Sequence, residues 1–442
     1  MVLGYGRSGR AAVSFLKRHG ASVTVVDRAD TPELRSALEQ DGVTGRLGAS
    51  APPSLDEVDV LVVSPGVAWD SPLVEAARQR GVAVTSELDL FFELCPCPIA
   101  GITGTNGKTT TTALTAEVLR AGGLNVIRGG NIGEPVLDRL EQLRPDDWVV
   151  LELSSFQLES IRRPRLRIGA VLNVTPDHLD RHKTMEQYRQ IKARAVSFME
   201  PGDHAVLNFD DPACAAMAAL TRGRVIPFAL QSTIPAGILV IDGSIAQRDG
   251  SRVQPVVPVA DVPLPGAHNL SNVMAAVGAG LAAGVAANRI ADAVRRFKAV
   301  EHRLELIGTY GGVRWYNDSK ATNPDSTYKA LEAFSEPIVL IAGGRNKGME
   351  IGPLATAIAQ RVAALVTIGE TGEELERLVR THGLQQVARA SDLGDAVRRA
   401  ASMAKPGAIV LLSPAFTSFD MFRDYEDRGR QFKAAVREEL GR

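Results

Sequence analysis

Ile99-Ala100-Gly101-Ile102-Thr103-Gly104-Thr105-Asn106-Gly107-Lys108-Thr109-Thr110 decides how the rest of the chain is read. Five strand-forming residues run into a glycine-punctuated loop, and the loop opens a helix predicted from Lys108 to Ala121. In such a turn successive backbone N–H groups and the helix dipole converge on phosphate oxygens, which makes the segment a candidate phosphate-binding loop. Lys108 supplies positive charge to the phosphates and Thr109 a hydroxyl to Mg²⁺. The strict pattern has glycine at position 102, where this chain has Ile102, so the spacing, with glycines at 101 and 104, is a variant. The competing structural reading is a glycine-rich turn beside a surface lysine.

Neighbouring strands supply what such a loop needs. Trp148-Val-Val-Leu-Glu152 is an apolar run ending in a carboxylate, which makes Glu152 the candidate Mg²⁺ ligand, directly or through water. Asn173-Val-Thr-Pro-Asp177-His178-Leu-Asp180 follows another strand, 170 to 174, and brings an imidazole and carboxylates to the same sheet edge. His178 is a candidate second metal ligand, while Asp177 and Asp180 read equally as favourable charges at a helix start. Lys192, on the helix that carries Tyr188, reads from spacing alone as a solvated surface lysine. A strand at 205 to 209, a helix opened by Asn269-Leu-Ser-Asn272 and another at 289 to 297 complete a central domain, residues 87–298.

Before that domain, Val2-Leu3 leads into Gly4-Tyr-Gly6-Arg7-Ser8-Gly9, a helical stretch follows, and Ala21-Ser-Val-Thr-Val-Val-Asp27 is a strand ending in an acid. Strands at 58 to 63, stopping at Ser64-Pro65-Gly66, and at 82 to 85 complete a small α/β domain, residues 1–86. Its first strand reads as cut short ahead of the glycines. Gly4-x-Gly6-x-x-Gly9 with Asp27 matches a dinucleotide fingerprint, whose obvious reading is an NAD-dependent oxidoreductase. The complete phosphate loop in the next domain argues against that, and the same turn binds any diphosphate, including that of a uridine nucleotide sugar. A packing-only loop is the bland alternative. After the central domain, strands at 312 to 316, 338 to 342, 364 to 368 and 409 to 412 alternate with helices in a third α/β domain, residues 299–442. The fold class is therefore α/β in three domains: Rossmann-like, then a P-loop ATPase-like mostly parallel sheet, then Rossmann-like again.

Composition agrees with that plan. At 442 residues the chain has room for about three domains, each with its own core. Its 50 Lys and Arg nearly cancel its 51 Asp and Glu, so no overall field favours nucleic acid or anionic lipid, and small-molecule partners are expected. Cys95, Cys97 and Cys214 are too few for a disulfide framework, and no His or Cys cluster completes a zinc set around Cys95-Pro-Cys97, which fits a reducing cytoplasm. No signal peptide is visible, and the longest apolar stretch, 273 to 287, is shorter than the ~20 residues of a membrane span and reads as a buried helix.

Taken together, Gly104-Thr-Asn-Gly-Lys-Thr-Thr110, Leu151-Glu-Leu-Ser-Ser-Phe-Gln-Leu-Glu159, Asn173-Val-Thr-Pro-Asp-His-Leu-Asp180, Gly266-Ala-His-Asn-Leu-Ser-Asn272, Glu301-His-Arg303 and Asn317-Asp-Ser-Lys-Ala-Thr-Asn323 resemble the Mur ligase family over essentially the whole chain. The second of these and Leu412-Ser-Pro-Ala-Phe-Thr-Ser-Phe-Asp420 resemble its D-glutamate-adding branch. The Asp-Asn-Pro-Arg motif of the diaminopimelate-adding branch is absent from the sequence, and folate-polyglutamate relatives lack the N-terminal domain.

The resemblance implies a uridine nucleotide in the first domain, UDP-N-acetylmuramoyl-L-alanine, contacted by Gly6, Arg7, Ser8, Asp27, Arg28, Ser64 and Gly66. Asn131 and His178 would meet its muramoyl part. ATP would lie on residues 104–110, with Asn272 and Arg303 at its adenine and ribose end, Asp318 also at the nucleotide, and Lys320 near the phosphates. D-glutamate would be contacted by Thr322, Lys347, Ser418, Phe419 and Tyr425, the last being a phenylalanine in most of the family. Lys192 aligns with a lysine that the family carbamylates with CO₂. A carbamate can hold a second Mg²⁺ with His178, whereas an ammonium would repel it.

The implied reaction has two steps: the L-alanyl carboxylate attacks the γ-phosphate of ATP to give an acyl phosphate, and the amine of D-glutamate displaces phosphate. Two anions meet in the first step, so Mg²⁺ and Lys108 must offset charge on the transferring oxygens. His302 reads either as an orienting group or as a structural histidine. The expected enzyme is a cytoplasmic monomer whose third domain brings Lys320, Lys347 and D-glutamate onto the nucleotide when both ligands are bound. The competing classes are a nucleotide-binding module without chemistry and the NAD dehydrogenase.

Overall fold

The computed structural model describes residues 1–48 and 53–441. Short runs of Val, Ile and Leu between glycine-rich turns form three sheets. The first contains β1 (Val2–Leu3), β2 (Thr24–Asp27), β3 (Thr44–Leu47), β4 (Val60–Val63) and β5 (Ala83–Thr85), all parallel, in the order β3-β2-β1-β4-β5. The order reverses between β1 and β4, the place where open α/β sheets bind ligands beyond their carboxyl ends.

The second sheet contains β6 (Ile99–Thr103), β7 (Val126–Gly130), β8 (Trp148–Glu152), β9 (Ile168–Val171), β10 (His204–Asn208), β11 (Arg224–Ala229), β12 (Gly237–Ile241), β13 (Ser244–Asp249) and β14 (Arg252–Pro258). Its order is β14-β13-β12-β11-β10-β9-β6-β8-β7, parallel except for the two hairpins that end it. β6 therefore runs between β8 and β9, and the loop that leaves it meets the last residue of β8 and the turn after β9. The four strands β11–β14 extend the sheet beyond what the sequence reading anticipated.

The third sheet contains β15 (Glu305–Tyr310), β16 (Val313–Asn317), β17 (Ile338–Gly343), β18 (Ala364–Ile368), β19 (Val387–Arg389) and β20 (Ile409–Leu412), in the order β15-β16-β20-β17-β18-β19. Only β15 is antiparallel to its neighbour. Helices cover both faces of this sheet, one core gathering Leu340, Leu354 and Phe416 and the other Trp315, Val366 and Phe432. By backbone proximity the chain divides into two compact units. One is residues 1–261 with 271–295, holding the first and second sheets, and the other is 262–270 with 296–442.

Candidate active site

Gly107 fixes the geometry of the phosphate loop. It sits at φ 82° immediately before the helix Lys108–Ala121, and a Cβ there would collide with Asn272 Oδ1. Only glycine fits both constraints. Upstream, Asn173 clamps the loop: its carbonyl accepts from Thr105 N (2.9 Å), its Oδ1 accepts from Asn106 N (2.8 Å), and its Nδ2 donates to Asn106 O (3.1 Å). Two of the amides expected to face phosphate are thus engaged by the turn after β9, which leaves the anion-directed role to the first turn of the helix. Four consecutive threonines, 109–112, open that helix and are all buried. β-Branched residues are poor helix formers, so packing rather than propensity holds this turn.

Two lysines converge on one carbonyl. Lys108 Nζ donates to Gly104 O (2.9 Å) and Thr105 O (2.7 Å), and Lys192 Nζ donates to the same Gly104 O (2.8 Å). Lys192 is only 1% exposed and its nitrogen lies 4.7 Å from the centre of the Tyr188 ring. Burial holds its amine well below the ordinary lysine pKa, and the charge of Lys108 pushes it the same way. The surface reading of Lys192 is corrected: tertiary packing of the helix Met185–Ser197 against the loop takes it out of water.

Glu152, the last residue of β8, is 2% exposed. Its Oε1 accepts from Asn131 Nδ2 (2.9 Å), while Oε2 is a buried acceptor with no hydrogen-bond partner. A carboxylate oxygen in that state, on the strand that pairs with the one feeding the phosphate loop, suits a hard divalent cation. His178, unlike this set, is not buried. It is exposed, adopts φ 52° ahead of the short helix Leu179–His182, and lies with its ring 4.9 Å from Phe156.

At the first sheet, Asp27 Oδ2 accepts from Tyr5 N (2.7 Å) and Oδ1 from Ala29 N (2.9 Å), so the acid of the dinucleotide pattern closes its own glycine loop. Ser64 Oγ donates to Gly4 O (2.8 Å) across the β1/β4 reversal. A cavity of about 650 Å³ opens there, lined by Gly6, Arg7 and Ser8 from the loop, Asp27 and Arg28 from the end of β2, and Ser64 and Gly66 from the end of β4. Asn131 lines it from the second sheet; His178 is not among the lining residues. Gln157 and Arg181 also line it and were not singled out from the sequence. Gln157 belongs to a capping box with Ser154 at the start of the helix Ser155–Ser160, and Arg181 is held by Glu159 (2.9 Å) and Val67 O (3.0 Å). The Ser-Ser-Phe-Gln spacing after Glu152 was the signal for the first.

In the second compact unit Arg303 and Asp318 come together. Asp318 is buried, accepts from Leu304 N (3.2 Å) and Ser413 Oγ (2.9 Å), and has its pKa pushed up to about 7 by burial, which the charge of Arg303 partly offsets. Arg303 Nε is a buried donor without a partner, as a residue that takes a ligand would be. Lys320 Nζ lies 5.4 Å from the centre of the Tyr425 ring. Arg345 pairs with Thr417 through backbone hydrogen bonds, which ties the loop bearing Lys347 to the one bearing Ser418 and the exposed Phe419. Thr322 follows in the Lys320 turn, its N–H donating to Lys320 O (2.9 Å). His302 is buried with Nδ1 2.9 Å from Asn317 Nδ2, packed on Gly429. The structural reading of this histidine accounts for those contacts.

A strand, a glycine loop and a helix, with a buried half-satisfied carboxylate on the adjoining strand, define a phosphate-loop enzyme that uses a nucleotide. Residues 1–86 match the Mur ligase MurD-like N-terminal domain, 102–280 the Mur ligase middle domain, and 302–416 the Mur ligase glutamate ligase domain. The chain belongs to the Mur ligase family of ATP-dependent ligases. It is 44% identical over 440 residues to the UDP-N-acetylmuramoylalanine--D-glutamate ligase of Pelotomaculum thermopropionicum, covering 99% of this chain and 96% of that protein. The protein of the same name from Koribacter versatilis is 43% identical with the same coverage. Two solved structures from Thermotoga maritima share the fold. UDP-N-acetylmuramate-alanine ligase MurC has a TM-score of 0.61 at 19% identity, covering 99% of both chains. MurF ligase in complex with ADP has a TM-score of 0.62 at 15% identity, covering 100% of this chain and 95% of that one.

Proposed function

We propose that this enzyme joins D-glutamate to UDP-N-acetylmuramoyl-L-alanine at the expense of ATP, in peptidoglycan precursor synthesis. One observation carries the reading: Asn131 lines the cavity at the first sheet and also donates to Glu152 beside the phosphate loop. A uridine-linked substrate lying in that cavity would extend its far end toward the carboxylate that serves the nucleotide. The 44% identity to a named D-glutamate ligase supports the same substrate.

Lys108 and the amides of the first helical turn hold the terminal phosphates of ATP, and Asn272 packs on Gly107 to keep that turn in shape. Thr109, Glu152, His178 and Lys192, the last as its carbamate, are the ligands we assign to Mg²⁺, which when bound neutralises charge between the two reacting anions. The cavity residues Gly6, Arg7, Ser8, Asp27, Arg28, Ser64, Gly66 and Asn131 bind the uridine substrate, with His178 at its muramoyl end. Asn272, Arg303, Asp318 and Lys320 serve the nucleotide, and Thr322, Lys347, Ser418, Phe419 and Tyr425 serve D-glutamate. The L-alanyl carboxylate attacks the γ-phosphorus, ADP leaves, and the D-glutamate amine then expels phosphate from the acyl phosphate. The chain works as a monomer on cytoplasmic nucleotides. Among the described residues no helix is long and apolar enough to cross a membrane.

Phosphate release from ATP, assayed with UDP-N-acetylmuramoyl-L-alanine and each of D-glutamate, L-glutamate and L-lysine, tests the assignment. Release that depends on D-glutamate is expected. Equal release with L-lysine would replace the amino-acid substrate, and an absorbance change with NAD would revive the dehydrogenase.

A further inference from the structure

Cys95 and Cys97 flank Pro96 where the helix Glu87–Leu94 ends and the chain turns into β6. Their sulfurs lie 3.5 Å apart, in van der Waals contact, and Cys95 Sγ is 3.6 Å from the Cys97 carbonyl oxygen. Pro96 has a fixed φ and restricts the residue before it, which stands at φ −65°, ψ 122°. The entropy of bringing the two thiols together is therefore already lost in the folded chain. Cys95 is partly exposed, Cys97 is buried, and the third cysteine, Cys214, is fully buried.

The two sulfurs are not equivalent. The contact between the two sulfurs, in which either can donate, holds the Cys95 pKa below the ordinary thiol value and, with burial, pushes Cys97 up. The accessible sulfur is thus the nucleophile and the inner one is held protonated beside it.

We propose that Cys95 and Cys97 form a thiol–disulfide exchange site that takes a low-molecular-weight disulfide, and that the intrachain disulfide it forms weakens binding in the uridine cavity. The Cys95 thiolate attacks one sulfur of the small disulfide, whose S–S bond breaks to release one thiolate and leave a mixed disulfide on Cys95. With the Cys95 anion gone, Cys97 loses the acceptor that kept it protonated. It gives its proton to the released thiolate, attacks Cys95 Sγ, and expels the second small thiolate, which takes a proton from solvent. Two protein thiols are oxidised, and one small disulfide is reduced to two thiols.

The consequence follows from what the preceding helix holds. Glu87, in its first turn, is a buried carboxylate that accepts from Leu137 N (3.2 Å), and the nearby hydroxyl of Ser8, a lining residue of the cavity, favours its charged form. Asp89, in the same turn, accepts from Arg162 N (2.8 Å) and Nε (2.7 Å). Closing the S–S bond to ~2.05 Å pulls on the Cys95 end of this helix, and Glu87 at its other end is the route by which we expect that pull to reach Ser8.

The test treats the intact enzyme with oxidised glutathione, quenches with an alkylating reagent under denaturing conditions, and reads intact mass and peptides. Expected are a loss of about 2 Da, alkylation of Cys214 alone, and full reversal by dithiothreitol. In Cys97→Ser the reaction stops at a glutathione adduct of about 305 Da on Cys95. The oxidised parent shows a KM for the uridine substrate raised at least about threefold with kcat changed less. Alkylation of both Cys95 and Cys97 after oxidation, or an adduct confined to Cys214, overturns the exchange site. A disulfide that forms without moving KM overturns the link to the cavity. The mass readout is independent of which ligation the enzyme performs.

Discussion

Lys192 shows how one side chain changes meaning between sequence and structure. On its own helix it looks like any surface lysine, yet Tyr188 four residues earlier lies on the same face, and both are buried against the phosphate loop. An amine whose pKa is lowered keeps a larger unprotonated fraction at neutral pH, and only that form adds CO₂. With ¹³C-bicarbonate at pH 7.5 the enzyme should therefore give a carbamate resonance that Lys192→Met lacks; a parent spectrum without it would remove the carbamate from the metal site. Asp318 carries a different expectation. Burial raises its folded pKa to about 7, above the ordinary aspartate value of 3.8. Between those values the unfolded chain has released a proton that the folded chain keeps, so stability falls as pH rises, by up to about 1.4 kcal/mol per unit. Asp318→Asn should flatten that slope, and calorimetric unfolding at pH 5 and pH 8 checks it: parallel losses in parent and variant would contradict the burial argument.

At the scale of elements, the β6–loop–helix unit was legible because its glycines, lysine and threonine sit at spacings that phosphate binding requires. What the spacing did not reveal is the clamp by Asn173, which takes two loop amides that the sequence reading had assigned to phosphate. Gly107→Ala puts a side chain into Asn272 at a positive φ, so the loop must move. Phosphate release should fall on the order of 100-fold, while the circular dichroism spectrum and the uridine-substrate affinity stay near those of the parent. Activity within twofold of the parent would mean that the loop geometry is not what positions ATP. β12 and β13 were missed although the signal was present. Asp242-Gly243, at φ 47° and 73°, is a two-residue hairpin turn, with Ile241 opposite Ser244. Proline at 255 and 258 argues against a central strand in the next segment, and its position as β14, the edge strand, is where proline is tolerated.

At the scale of the whole molecule, three strand-rich runs separated by helices gave three sheets, because each hydrophobic run is short enough to read as a buried parallel strand. The cavity at the first sheet was legible in its glycine loop and strand ends, and Gln157 in its capping-box spacing, but Arg181 reaches the cavity through pairings with Glu159 and Val67 O that no local pattern encodes. The account depends on ATP being used to turn a carboxylate into an acyl phosphate. Substrate labelled with ¹⁸O in the L-alanyl carboxylate tests this most directly. Phosphate released during ligation should carry one ¹⁸O atom, transferred when the carboxylate oxygen attacks phosphorus and retained when the amine expels it. Unlabelled phosphate, with ligated product formed, would contradict the mechanism.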